Sequence, residues 1–187
     1  MSKALIVYGT RFGATASTSE EIAKTLKDEG FEVKVADAKK EKLSSVSDYD
    51  LVVVGSGMKL GKWTDNPEKF LKNFQKELAN KKVAIFVSSA SQAILEHEGK
   101  TEELSKARKD YLEDKAAKYS LHPIDMTILG GVWDYNQMGF FFKKTMSPFK
   151  QVIEAAGFKE TEPGVYDTRD WDSIRSWAKE LAQKARS

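Results

Sequence analysis

Three segments of this chain carry residue types and spacings suited to ligand chemistry. The first, Thr10-Arg11-Phe12-Gly13-Ala14-Thr15-Ala16, follows a short apolar run and leads straight into a helical pattern. At such a junction a phosphate would meet backbone N–H groups, the positive end of the helix dipole and the hydroxyls of Thr10 and Thr15. Gly13 would let backbone and ligand approach closely. The same residues also make an ordinary turn and N-cap, since Thr is a common cap, and both readings stand at this point. The second segment is Gly55-Ser56-Gly57 through Gly61, Lys62 and Trp63, and the third is Ser88-Ser89-Ala90-Ser91-Gln92.

Competing chemistries fail residue by residue. A dinucleotide-binding turn needs G-x-G-x-x-G after its first strand, and the Thr10–Thr15 loop has one interior glycine. Gly55, Gly57 and Gly61 have one residue too many for that spacing. A P-loop needs four residues between its glycines and then Lys-Ser/Thr, whereas Lys62 is followed by Trp63. A phospho-accepting receiver needs acidic residues where Gly9, Thr10, Gly55 and Ser56 stand. His97-Glu98 starts like a metalloprotease helix, but Thr101 occupies the second histidine's place. No nucleophile-elbow sequence is present to begin a Ser-His-Asp site.

The elements that must position these segments follow from periodicity. Ala4–Tyr8 and Leu51–Gly55 are short continuous apolar runs, as in strands buried on both faces, and Val83–Val87 and Met126–Gly131 extend the series. Phe31–Ala36 alternates as a further strand. Between them lie amphipathic patterns: Ala16, Ser19, Ile22, Ala23 and Leu26 before Gly30; Phe70, Leu71, Phe74 and Leu78 after Asp65-Asn66-Pro67; and a charged helix over 101–119. An aromatic-rich excursion at about 133–150 leads into a helix closed by Gly157. Asp170 caps a final helix burying Trp171, Ile174, Trp177, Ala178 and Leu181. Strands alternating with helices predict an α/β fold with a doubly wound, five-stranded parallel sheet in one domain, residues 1–187. Ligands on such sheets bind beyond the carboxyl ends of the strands, where all three segments fall.

Composition narrows the class. The 187 residues are 41% hydrophobic and 31% charged, a globular balance, and contain no cysteine. Disulfides, thiolate catalysis and cysteine-ligated metals are excluded. Thirty basic against 28 acidic residues give a net charge of +2, which does not point to nucleic acid or a membrane. No apolar run approaches the roughly 20 residues of a transmembrane helix. The early first strand leaves no room for a signal peptide, so a cytoplasmic location is expected.

The strand–Thr-x-x-Gly-x-Thr–helix opening, with glycine-containing loops after the third and fourth strands, resembles the flavodoxin family from Lys3 to the last helix. The resemblance implies strand order 2-1-3-4-5, one bound FMN, and electron transfer with redox partner proteins. It places the FMN phosphate on Thr10, Arg11, Phe12, Gly13, Ala14 and Thr15. The isoalloxazine ring would lie between Ser56, Gly57, Met58, Lys59, Leu60, Gly61, Lys62 and Trp63 on one side and Ser88, Ser89, Ala90, Ser91 and Gln92 on the other. Phe12 stands where flavodoxins usually carry a third hydroxyl, Arg11 adds a charge, and the chain lacks their acidity. Thr10-Arg11-x-Gly13-x-Thr15, the excursion Trp133 to Lys144 and the Asp170-Trp171-Asp172 helix are similar to bacterial flavodoxin-like, quinone-coupled protoporphyrinogen oxidases. That likeness implies an FMN-dependent oxidoreductase with a quinone or porphyrinogen partner as the alternative to a carrier.

Aromatic residues divide between two roles. Trp63 is expected to stack on the flavin, with packing against the following helix as the other reading. Trp133 and Tyr135 would complete the pocket, face a substrate, or pack beneath the excursion. The Phe140-Phe141-Phe142 run beside Lys143 and Lys144 would touch a membrane surface or planar substrate, or cover core as such runs ordinarily do.

Overall fold

Alternation along the strands sorts the core into two layers. Ala4 and Ile6 of β1 (Lys3–Gly9), Leu51 and Val53 of β3 (Leu51–Lys59), and Ala84 and Phe86 of β5 (Lys82–Ser88) face one layer. Their neighbours Leu5, Val7, Val52, Val54, Val83, Ile85 and Val87 face the other. This period of two on both faces explains the continuous apolar runs. The computed structural model describes residues 1–59 and 61–187; Leu60 lies outside that description, as do the side chains of Lys59, Phe140, Phe141, Phe142, Thr145, Met146 and Ser147.

The parallel sheet runs β2-β1-β3-β5-β6, with β2 at Glu32–Asp37 and β6 at Asp125–Leu129. These five strands have the expected 2-1-3-4-5 order. A two-residue strand, β4 (Lys62–Trp63), folds back antiparallel on β3, pairing Trp63 with Met58, and was not anticipated. Helices α1 (Ala14–Asp28) and α7 (Trp171–Arg186) bury Ile22, Leu26, Ile174, Trp177 and Leu181 on one face. On the other face, α2 (Asp65–Leu78) contributes Phe70, Leu71 and Leu78. Asp170 caps α7 as expected, its carboxylate accepting from the amides of Asp172 and Ser173 at 3.0 and 3.1 Å. Trp171 is only partly buried against that core.

Three further regions differ from the sequence expectation. Ala90, expected in a loop, opens a helix, α3 (Ala90–His97). The charged helix over 101–119 consists of α4 (Thr101–Arg108), a π-helical turn (Lys109–Glu113) that buries Leu112, and α5 (Asp114–Lys118), which buries Ala116. The chain beyond β6, including the excursion, builds a second sheet, β7-β9-β8, from Val132–Asp134, Val165–Asp167 and Glu160–Glu162, with α6 (Phe140–Ala155) between β7 and β8 in sequence. Tyr166 of β9 is fully buried and donates to Glu154 at 2.6 Å; burial, reinforced by that carboxylate, pushes its pKa to about 12. Its neighbours Trp133, Tyr135, Phe149, Ile153 and Ile94 join the small sheet and α6 to α3.

Candidate functional site

The carboxyl ends of β1, β3, β5 and β6 converge on one cavity of about 310 Å³, a volume at the lower end of the range for small-molecule sites. At its β1 side, the Thr10 hydroxyl accepts the Gly13 amide at 2.9 Å and tightens the turn. Gly13 has φ 92°, a left-handed conformation that favours glycine. From there α1 begins with no side-chain cap and no acidic residue in its first turn. The first amides of a helix have no intrahelical acceptor, so those of Ala14, Thr15 and Ala16 are free to serve an anion. Thr10, Arg11, Phe12, Ala14 and Thr15 all line the cavity. Arg11 is exposed, its guanidinium 4.9 Å from the Phe12 ring centre.

The β3 side contributes Gly57, Met58 and Gly61. A Cβ on Gly57 would stand 3.1 Å from the Thr15 hydroxyl oxygen and 3.7 Å from the Arg11 amide nitrogen, so glycine keeps this floor open. Ser56, expected at the ligand, is fully buried and spends its hydroxyl on the Gly57 carbonyl at 2.9 Å and on Thr64 at 3.0 Å. It pins the β3–β4 return instead. Lys62 is exposed and off the lining; Leu60 and the Lys59 side chain lie outside the described residues.

Trp63 also takes the packing role rather than the stacking one. It is 4% exposed, lies outside the cavity lining, and donates its indole N–H to the Tyr111 carbonyl at 2.8 Å. The aromatic side chain reaching the cavity from this side is Tyr111, carried on the π-helical turn, a geometry frequent at functional sites. Nothing in the local sequence around Tyr111 marks it, because a charged helix conceals the change of helical period.

Beyond β5, Ser88, Ser89, Ala90 and Ser91 line the wall. Ser89 and Ser91 hydroxyls bond each other at 2.8 Å, while the Ser88 hydroxyl is buried and has no hydrogen-bond partner among the described residues. Gln92 turns away and donates to Glu96 at 2.7 Å. Past β6, Gly131, Val132, Trp133, Asp134, Met138 and Phe149 close the remaining side. Trp133 lies 4.5 Å from Phe149 and 5.9 Å from Tyr135 between ring centres. Tyr135 stands behind this wall rather than in it, and burial raises its pKa.

The donor set fits a phosphorylated flavin: an uncapped helix N-terminus at one end, apolar and aromatic walls from Met58, Tyr111 and Trp133, and beside them the Ser88 hydroxyl, unpartnered among the described residues. Residues 5–159 match the model of the flavodoxin domain family. The chain belongs to the flavodoxin family. It is thus a flavoprotein of electron transport, exchanging electrons with redox partners. This flavodoxin is 22% identical over 180 residues to protoporphyrinogen IX dehydrogenase (quinone) of Escherichia coli K12, covering 96% of the chain and 94% of the relative. Its fold is similar to a flavodoxin from the domain Archaea, with TM-score 0.56, 16% identity and 99% of each chain covered. An oxidised flavodoxin 1 of Bacillus cereus gives TM-score 0.51 at 17% identity, over 82% of this chain and 98% of that one. Among the described residues no helix is long and apolar enough to cross a membrane.

Proposed function

We propose that this flavodoxin holds FMN in the cavity and works as a small electron carrier for other redox proteins. The observation that carries the proposal is the uncapped start of α1, opening on the same cavity as Tyr111, Ser88 and Trp133. The amides of Ala14, Thr15 and Ala16 would hold the phosphate, with the Thr15 hydroxyl beside them. Met58, Tyr111 and Trp133 would flank the ring system and keep water from it, and Ser88 would donate to a ring heteroatom. The bound flavin supplies the electron-accepting and electron-donating chemistry, while the protein positions it and sets its electrostatics. Outer-sphere transfer requires no general acid or base from the chain.

The test is an absorbance titration of purified protein with FMN and with riboflavin, followed by stepwise anaerobic reduction. Saturation at one FMN per chain, much weaker riboflavin binding and reduction in separate one-electron steps support the carrier. Failure to bind either flavin removes the reading.

The excursion favours a second reading, an FMN-dependent oxidoreductase of the quinone-coupled protoporphyrinogen type. Trp133, Asp134, Met138 and Phe149 all come from it and all face the cavity. A carrier has no need of such a wall, whereas an enzyme would use it to orient an organic substrate. Reduction of the loaded protein by protoporphyrinogen in one two-electron step, with reoxidation by a quinone, would favour this reading over the carrier.

A further inference from the structure

A cation sits where helix electrostatics alone would not put one. The Arg169 side chain is only 9% exposed, and its Nη1 donates to the Ala14 carbonyl at 3.2 Å and the Ser17 hydroxyl at 2.6 Å, both in the first turn of α1. That end of a helix carries partial positive charge and disfavours a neighbouring guanidinium. Two partners hold the group there. Asp167 takes Nε at 2.8 Å and Nη2 at 2.6 Å in a bidentate pair, and the Trp171 ring centre lies 4.4 Å from the guanidinium carbon. Such a fork fixes position and direction together, which a lysine cannot do.

The consequence lies in the backbone. Ser17 turns its hydroxyl proton to the Ala14 carbonyl at 3.1 Å, with the Gly13 carbonyl also within 3.4 Å, and accepts from Arg169 on its lone pair. The peptide units that aim the Ala14 and Thr15 amides at the cavity are therefore tied from behind, to the junction of β9 and α7. The tie spans 155 residues of sequence from Ala14 to Arg169. Close packing holds this junction against the rest of the site: the Thr168 hydroxyl donates to the Gly131 carbonyl at 3.0 Å and accepts the Gly131 amide at 3.1 Å. Gly130 faces the Thr168 carbonyl so closely that a Cβ would collide with it.

We propose that Arg169 is a positioning residue for the phosphate seat, orienting the first turn of α1 so that its free amides converge on a phosphate monoester. The inference rests on the reading of that turn as the phosphate site. Arg169 touches the helix and does not line the cavity, so its effect would fall on the phosphate and not on the ring. Asp167 neutralises most of the guanidinium charge at long range, and orientation is therefore the main contribution.

The experiment compares dissociation constants for FMN and for riboflavin, which differ by the phosphate alone, in the wild-type chain, Arg169→Gln, Arg169→Lys and Ser17→Ala. Arg169→Gln is expected to weaken FMN about tenfold and riboflavin less than twofold. Arg169→Lys, which retains charge but not the fork, should fall close to the Gln variant. Ser17→Ala removes one acceptor without disturbing the buried pair and should weaken FMN about threefold, keeping the test open if Arg169→Gln folds poorly. Equal losses for both flavins, or unchanged FMN affinity in Ser17→Ala and Arg169→Lys, would overturn the assignment. A wild-type chain that binds the two flavins equally would remove the phosphate seat itself, and the positioning role with it.

Discussion

The indole N–H of Trp63 meets the carbonyl of Tyr111 at 2.8 Å, tying the short β4 strand to the π-helical turn that carries Tyr111 to the cavity. The tryptophan supports the wall and the tyrosine presents it. The Lys115 ammonium lies over the Trp63 ring, 5.4 Å from its centre, so the indole is held at its N–H and on a face.

This division of labour predicts opposite phenotypes for two substitutions. Trp63→Phe retains most of the packing but orphans a buried carbonyl, and should cost about 1 kcal/mol of stability. Denaturant unfolding should show it as a lower midpoint at an unchanged slope. Tyr111→Ala removes an aromatic wall, worth about 1 kcal/mol beyond its area, and should weaken flavin binding about fivefold to tenfold with little change in the midpoint.

Gly13 allows strain to be separated from charge. Its φ of 92° penalises any side chain, while among the described residues no atom beyond its chain neighbours lies within 4 Å of where a Cβ would stand. Gly13→Ala should therefore cost about 1 kcal/mol of stability through backbone conformation alone. Gly13→Asp carries the same strain and adds a carboxylate beside the proposed phosphate seat. Its FMN affinity should fall well below that of the Ala variant, with riboflavin affinity equal in the two. Calorimetric titration of both variants with both flavins checks this.

Much of the frame was legible because buried parallel strands write themselves as apolar runs. Ala4–Tyr8, Leu51–Gly55 and Val83–Val87 all lie within observed strands. Gly13, Gly30 and Gly157 announced turns that do take positive φ. What stayed hidden depends on contacts distant in sequence. The Glu160–Glu162 strand is exposed and polar, and exists because Tyr166 anchors its partner strand to α6. Ser88–Gln92 looked like loop because three of its five residues are serine, although serine suits a helix start as well as a turn and Ala90 opens α3. Trp63 looked like a flavin contact from its glycine-rich neighbourhood, and only the path of α4 and α5 shows what covers it.

Acid should loosen α5 from α2 at a single carboxylate. Burial opposes ionisation of Glu68, but hydrogen bonds from Lys118 at 2.5 Å and Tyr119 at 2.9 Å, with the Lys115 ion pair at 3.0 Å, hold its pKa down at about 2. An unfolded chain protonates this group near 4.5. The stabilisation is whole above that pH and drains away as pH falls toward 2. Solvent screening at this partly exposed site limits it to about 1 kcal/mol. Unfolding midpoints between pH 6 and pH 2.5 should fall less steeply for Glu68→Gln than for wild type, the two curves converging at low pH.

Ser88 should show the two faces of an unpartnered hydroxyl. It is 7% exposed, lines the cavity, and has no hydrogen-bond partner among the described residues. A buried hydroxyl left unpaired costs about 1 kcal/mol or more, so Ser88→Ala should raise the unfolding midpoint of the flavin-free chain. In the proposed ring site a heteroatom would accept from Ser88 and turn that cost into a bond, so the same substitution should weaken flavin binding about fivefold. FMN and riboflavin should lose equally, because the contact is to the ring and not the phosphate. A midpoint that falls in the flavin-free chain would mean that the hydroxyl is already satisfied, by water within the cavity.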